Sequence, residues 1–188
     1  TCRPAVRYGG LYCLAVNQAA GFEKKMQDKD MAARLARIRE KRGYLLPHHG
    51  LIAVSLPGML DAYDELYSAI AFEPHTLSRR EHEFVWLAVL ITRHEVLGTH
   101  HIARFHEAGG TDAELADVLS LAAVAGGGHL YRFVDRHWMP HLPGLDPRAA
   151  FLDAFDRARG ATPAPLAHLA GAAIHACNAD WQLLKWQI

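Results

Sequence analysis

The chain has no surplus of either charge. Twenty Lys and Arg balance twenty Asp and Glu, and no long basic run occurs, so neither nucleic acid nor an anionic membrane surface is expected as a partner. No apolar stretch approaches the ~18 residues that span a bilayer. Cysteine is scarce: Cys2, Cys13 and Cys177 are scattered, odd in number and form no Cys-x-x-Cys pair. That argues against a disulfide framework and makes a reducing, cytoplasmic setting the expectation. Leu11 to Ala20 is mildly apolar after a basic start but lacks a signal-peptide core, and the first residue is not Met, which leaves the natural start of the chain open. Strand-like alternation is also missing.

What is present forms a core. Hydrophobic residues make up 51% of 188 and charged ones 21%, which suits one compact domain or two small fused ones. Histidine is over-represented, at thirteen. Its ordinary pKa lies near neutrality, so the excess suggests proton transfer, metal binding or pH sensing.

Apolar spacing predicts helices throughout. Residues 1–25 read as an irregular arm, and Lys29 to Lys41 as an amphipathic helix with Met31, Leu35 and Ile38 on one stripe. Tyr44 to Pro57 reads as a loop broken by Pro47, Gly50 and Pro57, with His48 and His49 in solvent. A helix follows over Gly58 to Phe72. Ser78-Arg79-Arg80-Glu81 is a capping box opening a nearly all-apolar helix to about Arg93. A second helix, Glu95 to Ala108, stops at Gly109-Gly110. Thr111 to Glu114 caps a helix to about Ala125, and Gly126-Gly127-Gly128 predicts a break before a short helix over His129 to Arg136. Asp146-Pro147 starts another, to Arg159, and Leu166 to Trp186 reads as one last helix. The expected fold is an all-α bundle.

The stretch Glu83 to Gly110 holds the costliest polar residues. Glu83, His94 and His101 are spaced by eleven and seven, and at ~100° per residue both intervals return to one helical face. Glu83 amid Trp, Leu and Val needs a partner if buried, and orienting an imidazole would supply one. His101 is the expected general acid/base, with His94 as assistant. Glu95 turns inward only if the helix breaks near Arg93. Arg93, Arg104 and Arg132 are candidate clamps for a substrate carboxylate, with His129 and Tyr131 as further lining. A second reading makes Glu83, His94 and His101 ligands of one Fe, Mn or Zn ion. On a continuous helix they span ~27 Å, so that reading demands a sharp turn.

An internal repeat is also visible. Leu56-Pro57-Gly58 recurs as Leu142-Pro143-Gly144, and the same offset of 86 lays Leu66 on Leu152 and His82 on His168. In that register Glu83 falls on Leu169, His94 on Asp180 and His101 on Gln187, so one copy works and the other supports it. The expected organisation is an arm and first helix over 1–50, a first repeat over 51–141 carrying the site, and a partial second repeat over 142–188 packed with it as one domain.

Leu77 to Leu115, LSRREHEFVWLAVLITRHEVLGTHHIARFHEAGGTDAEL, resembles the carboxymuconolactone decarboxylase and alkylhydroperoxidase D-like superfamily. The shared pattern is a capped helix with a Glu, a short break, a helix bearing His, and a second capped helix. Gly109 stands eight residues after His101, where the family has its Ala-Gly anchor. The peroxidase branch needs a Cys-x-x-Cys at positions that here are His94 and Leu97, so thiol redox chemistry is not implied. The resemblance implies a helical, homo-oligomeric protein (dimer, trimer or hexamer). It also implies cofactor-free lyase chemistry on a compact carboxylate or lactone, in aromatic breakdown, with His101 and Glu95 or Glu83 at the site. A non-catalytic binding or assembly module is the rival from another class.

Overall fold

A computed structural model describes residues 29–73, 76–96 and 98–188, the side chain of Lys29 excepted; the arm expected over 1–25 lies outside them. The described residues form nine α-helices and one short 3-10 turn, with no strand. They divide into two compact units, Thr1–Glu73 and Pro74–Ile188.

In the first unit, α1 (Lys29–Arg42), α2 (Pro47–Ser55) and α3 (Pro57–Ala71) pack together. The α1 stripe is buried as expected: Met31, Leu35 and Ile38 meet Ala53 of α2 and Leu60 of α3. Helix α2 occupies the segment read as a loop. Pro47 and Pro57 each stand at the first helical position, where a missing N–H costs nothing, so they start helices and do not break them. His49, expected in solvent, is fully buried. The Leu46 N–H donates to its Nδ1 at 3.1 Å, and Arg42 Nη1 lies 3.5 Å from its Nε2. Arg42, also buried, donates to Asp64 Oδ1 at 2.9 Å and lies 3.8 Å over the Tyr67 ring.

The second unit contains α4 (Arg79–Thr92), α5 (Gly98–Glu107), α6 (Asp112–His137), α7 (Pro147–Ala158), α8 (Ala164–Cys177) and α9 (Trp181–Gln187). Both expected capping boxes form. Ser78 exchanges bonds with Glu81 and Thr111 with Glu114, removing orphan N–H groups that would otherwise fray each start. Helix α4 packs against α5, α6 and α8, which explains its nearly all-apolar surface. The core joins Phe84, Leu87 and Ala88 of α4 with Phe105 of α5, Phe151 and Phe155 of α7, and Ala167, Ala170 and Ile174 of α8.

The triple glycine does not break the chain. Helix α6 runs through it for 26 residues. Each glycine costs a helix interior ~1 kcal/mol, but packing of the apolar face outweighs local propensity in a long helix. At Gly128 the small size is required, since a Cβ there would stand 2.5 Å from Leu183 Cδ1 and 3.2 Å from Phe151. The last expected helix is likewise two helices, α8 and α9, separated by a turn at Asn178 to Asp180.

That turn exposes the repeat. Helices α4 and α8 begin and end 85 residues apart. Their caps, Arg93 and Asn178, share φ −90° and ψ 1°, and the next residues, His94 and Ala179, share φ 54°. Glu95 N–H donates to Leu90 O, and Asp180 N–H to His175 O, both at 2.9 Å. In this helix the true register is therefore 85, one residue off the expected 86. Glu83 matches His168, His94 matches Ala179, and Glu95 matches Asp180.

Candidate active site

Two consecutive helices bring an acid and an imidazole together. Glu83 lies on the inward face of α4, one residue before Phe84 and four before Leu87, both in the core. His101 lies on α5 four residues before Phe105, whose ring packs against Phe84 at 6.3 Å between centroids. That contact fixes the two helices in register, and one result is a bond of 2.7 Å between Glu83 Oε2 and His101 Nδ1. Glu83 is 3% exposed and His101 6%. A carboxylate offers only lone pairs, so Nδ1 carries the proton and the bond is charge-assisted.

A tight reversal makes the meeting possible. The chain leaves α4 through Arg93 and turns at His94, which holds φ 54°, a left-handed conformation that side chains seldom adopt. Because the helix breaks here, an interval of 18 residues between Glu83 and His101 is folded back on itself and does not span ~27 Å.

The face of His101 is covered by Trp86. The two rings stack at 5.1 Å between centroids with 24° between planes. Trp86 is one turn beyond Glu83 on α4, so a single helix supplies both the in-plane partner and the face. Trp86 Nε1–H in turn donates to His82 Nε2 at 3.1 Å. Sequence inspection singled out neither residue. The available signal was spacing: 82, 83 and 86 follow a helical i, i+1, i+4 pattern on the side that carries the carboxylate.

The other expected site residues lie elsewhere. His94 and Glu95 are exposed in the turn, and Arg93, also exposed, donates to Asn178 Oδ1 at 3.2 Å. Arg104 is half-buried on α5, three residues after His101. His129 is exposed with its Nδ1 2.9 Å from Gly126 O of its own helix. Tyr131 packs edge-on against Phe151, and Arg132 pairs with Asp180 at 2.8 Å. Among the described residues no three His, Cys, Asp or Glu side chains are grouped so as to hold a metal ion, and Glu83, His94 and His101 do not form such a set. An open groove lined by Ser78, Arg79, Glu107 and Leu166 includes neither Glu83 nor His101.

In the repeat, the equivalent place holds a different pair. His168 Nδ1 of α8 lies 2.6 Å from Gln187 Nε2 of α9. In the register of 85, His168 is the match of Glu83 and Trp186 that of His101, with Gln187 the next residue along. The position of the acid is thus taken by an imidazole, which meets an amide one residue beyond the match of His101 and Asp156 of α7 at 3.3 Å. Nearby, His175 is buried and its Nε2 has no hydrogen-bond partner among the described residues. Burial pushes its pKa down, against the opposing pull of Asp180.

Residues 57–134 match the model of the carboxymuconolactone decarboxylase family. The match covers α3, α4, α5 and nearly all of α6, and so includes Glu83, Trp86 and His101. No curated protein and no solved structure matches the chain. Among the described residues no helix is long and apolar enough to cross a membrane.

Proposed function

We propose that the protein is a small-molecule lyase of the decarboxylase type, acting on a compact carboxylate or lactone by acid/base chemistry at the Glu83–His101 pair. One observation carries this reading: an acid and an imidazole, both buried, bonded at 2.7 Å inside the segment that matches the decarboxylase family. Burying such a pair for stability alone gains little, because desolvation offsets the Coulombic attraction.

The chemistry follows from the tautomer. Glu83 holds Nδ1–H, which leaves Nε2 as the nitrogen that exchanges a proton with substrate. In a decarboxylation the C–C bond to the carboxylate breaks, CO2 departs, and the electron pair moves into an enolate-like system. Imidazolium His101 then delivers its Nε2 proton to carbon and ends neutral, to be reprotonated by solvent. Glu83 stabilises the cationic form before transfer. Arg104, three residues along the same side of α5, is the candidate clamp for the carboxylate. His94 and Glu95 lie at the far end of the α4–α5 hairpin, where they would border an entrance. The same reading takes a homo-oligomer, with exposed apolar residues such as Leu130, Phe133 and Trp138 covered by neighbouring copies, and needs no cofactor.

The test is CO2 release or ring opening across a panel of small β,γ-unsaturated lactones and keto acids. His101→Gln and Glu83→Gln should each lower kcat by roughly 10²–10⁴ while the circular dichroism spectrum stays unchanged. A His101→Gln protein that turns over at the unaltered rate would end the proposal.

A further inference from the structure

His101 is held from two directions by one helix. Glu83 grips Nδ1 in the plane of the ring, at 2.7 Å. Trp86 lies along its face at 5.1 Å and 24°. Trp86 is itself only half-buried, so its core contacts alone do not explain a fixed indole plane. Its Nε1–H, however, is bound to His82 Nε2 at 3.1 Å, with the two rings nearly perpendicular at 83°. An indole N–H can only donate. His82 Nε2 must therefore be the accepting nitrogen, and its neutral ring carries the proton on Nδ1.

The repeat provides an internal comparison. At the register of 85, His82, Glu83 and Trp86 correspond to Ala167, His168 and Gly171, and His101 corresponds to Trp186. Gly171 leaves no room for an indole: even a Cβ there would sit 2.7 Å from Phe155 and 2.8 Å from Gln187. The tether, the acid, the ring face and the imidazole are all absent from the copy that lacks the pair.

We propose that Trp86 and His82 are positioning residues for His101, the indole face setting the plane of the imidazole and His82 fixing the indole. The proposal rests on the reading of His101 as the proton-exchanging group, and deepens it. A stacked indole limits rotation of the imidazole about χ2, keeping Nδ1 on Glu83 and Nε2 aimed at one place. Its electron-rich face also favours the ring when it carries positive charge. Both effects require the indole to stay parallel, and the Nε1–H bond to His82 is what holds it so.

The experiment uses the full chain labelled with ¹⁵N-histidine, and two readouts. The first is the His101 Nδ1 proton, followed by NMR: its tautomer and its rate of exchange with solvent. The second is turnover of the best substrate from the panel above. Trp86→Leu and His82→Leu should each speed exchange of that proton by about three- to tenfold, the factor that an aromatic stack supports. His82→Gln, which keeps an acceptor for the indole N–H, should restore the slow rate. In turnover, both Leu variants should lower kcat and leave KM within twofold of the parent, roughly the precision of such a comparison. If both Leu variants fold, by thermal melting, and leave exchange unchanged, the proposal is overturned. It is equally overturned if His82→Gln behaves like His82→Leu, since a general loosening of α4 would then be the cause. Failure of the underlying reading looks different: His101→Gln would keep full turnover while the exchange rates still responded to Trp86 and His82.

Discussion

Replacing Glu83 and His101 singly and together should show how far each depends on the other. His101→Leu leaves a carboxylate that is 3% exposed without the imidazole that bonds it. Stranding one member of a buried ion pair costs ~3–5 kcal/mol. Glu83→Met leaves the His101 Nδ1–H without an acceptor, at ~1–3 kcal/mol. Independent effects would therefore sum to roughly 4–8 kcal/mol, most of the stability of a typical domain. The double variant Glu83→Met/His101→Leu strands nothing and fills the site with apolar groups, so it should be more stable than His101→Leu alone. The stacking against Trp86 is lost in both of those variants and cancels in the comparison. A coupling of at least ~2 kcal/mol is expected. Urea denaturation followed by tryptophan fluorescence measures it. All four tryptophans, 86, 138, 181 and 186, fall within Pro74–Ile188, so the signal reports that unit alone. Additivity within ~0.5 kcal/mol would refute the view that the two groups share one buried bond. The double variant should also be catalytically silent, and wild-type turnover from it would show that the pair serves stability only.

Three further outcomes are expected. Burial, with His48 and Arg42 nearby, lowers the His49 pKa to about 4 from an ordinary 6.5; the unfolded chain then binds more protons between those values. Stability of the first unit should accordingly be complete above pH 6.5 and fall by up to ~3 kcal/mol as pH drops to 4, and a His49→Leu variant should flatten that slope in circular dichroism melts. Arg42→Met should destabilise the same unit by roughly 2–4 kcal/mol, because Asp64 loses its buried partner and two tyrosine rings lose the guanidinium; an unchanged melting temperature would contradict this. Gly110→Ala would place a Cβ 2.3 Å from the buried Phe105 ring, and a loss of ~1–3 kcal/mol should appear in the same urea titration.

Much of the fold was legible in the chain. Capping boxes at Ser78 and Thr111, the Gly109 stop and the α1 stripe are local devices, each satisfied by residues within a turn or two, so spacing alone reveals them. Glu83 and His101 stood out for a related reason: an ionisable group inside an apolar run must find a partner. Where prediction failed, distant packing had overruled a local signal. Pro47 is read as a breaker although it opens a helix, the triple glycine is read as one until a neighbouring surface makes the helix worth continuing, and His49 is read as exposed until Arg42 and Leu46 close round it. The repeat was found, but shifted by one residue, since side-chain identity had decayed while the backbone turn at His94 and Ala179 had not.

Sequence by itself determined the all-α character, the capped helix starts after Ser78, Thr111 and Asp146, and the two residues whose burial would need a reason. Only the tertiary structure decided which polar groups meet. The left-handed residue at His94 reverses the chain, so two side chains 18 positions apart come within 2.7 Å, and the same reversal leaves His94 and Glu95 outside. Trp86 and His82 acquire their place from that reversal too, because the face of an imidazole has no sequence signature. It is defined only once a second helix lies against it.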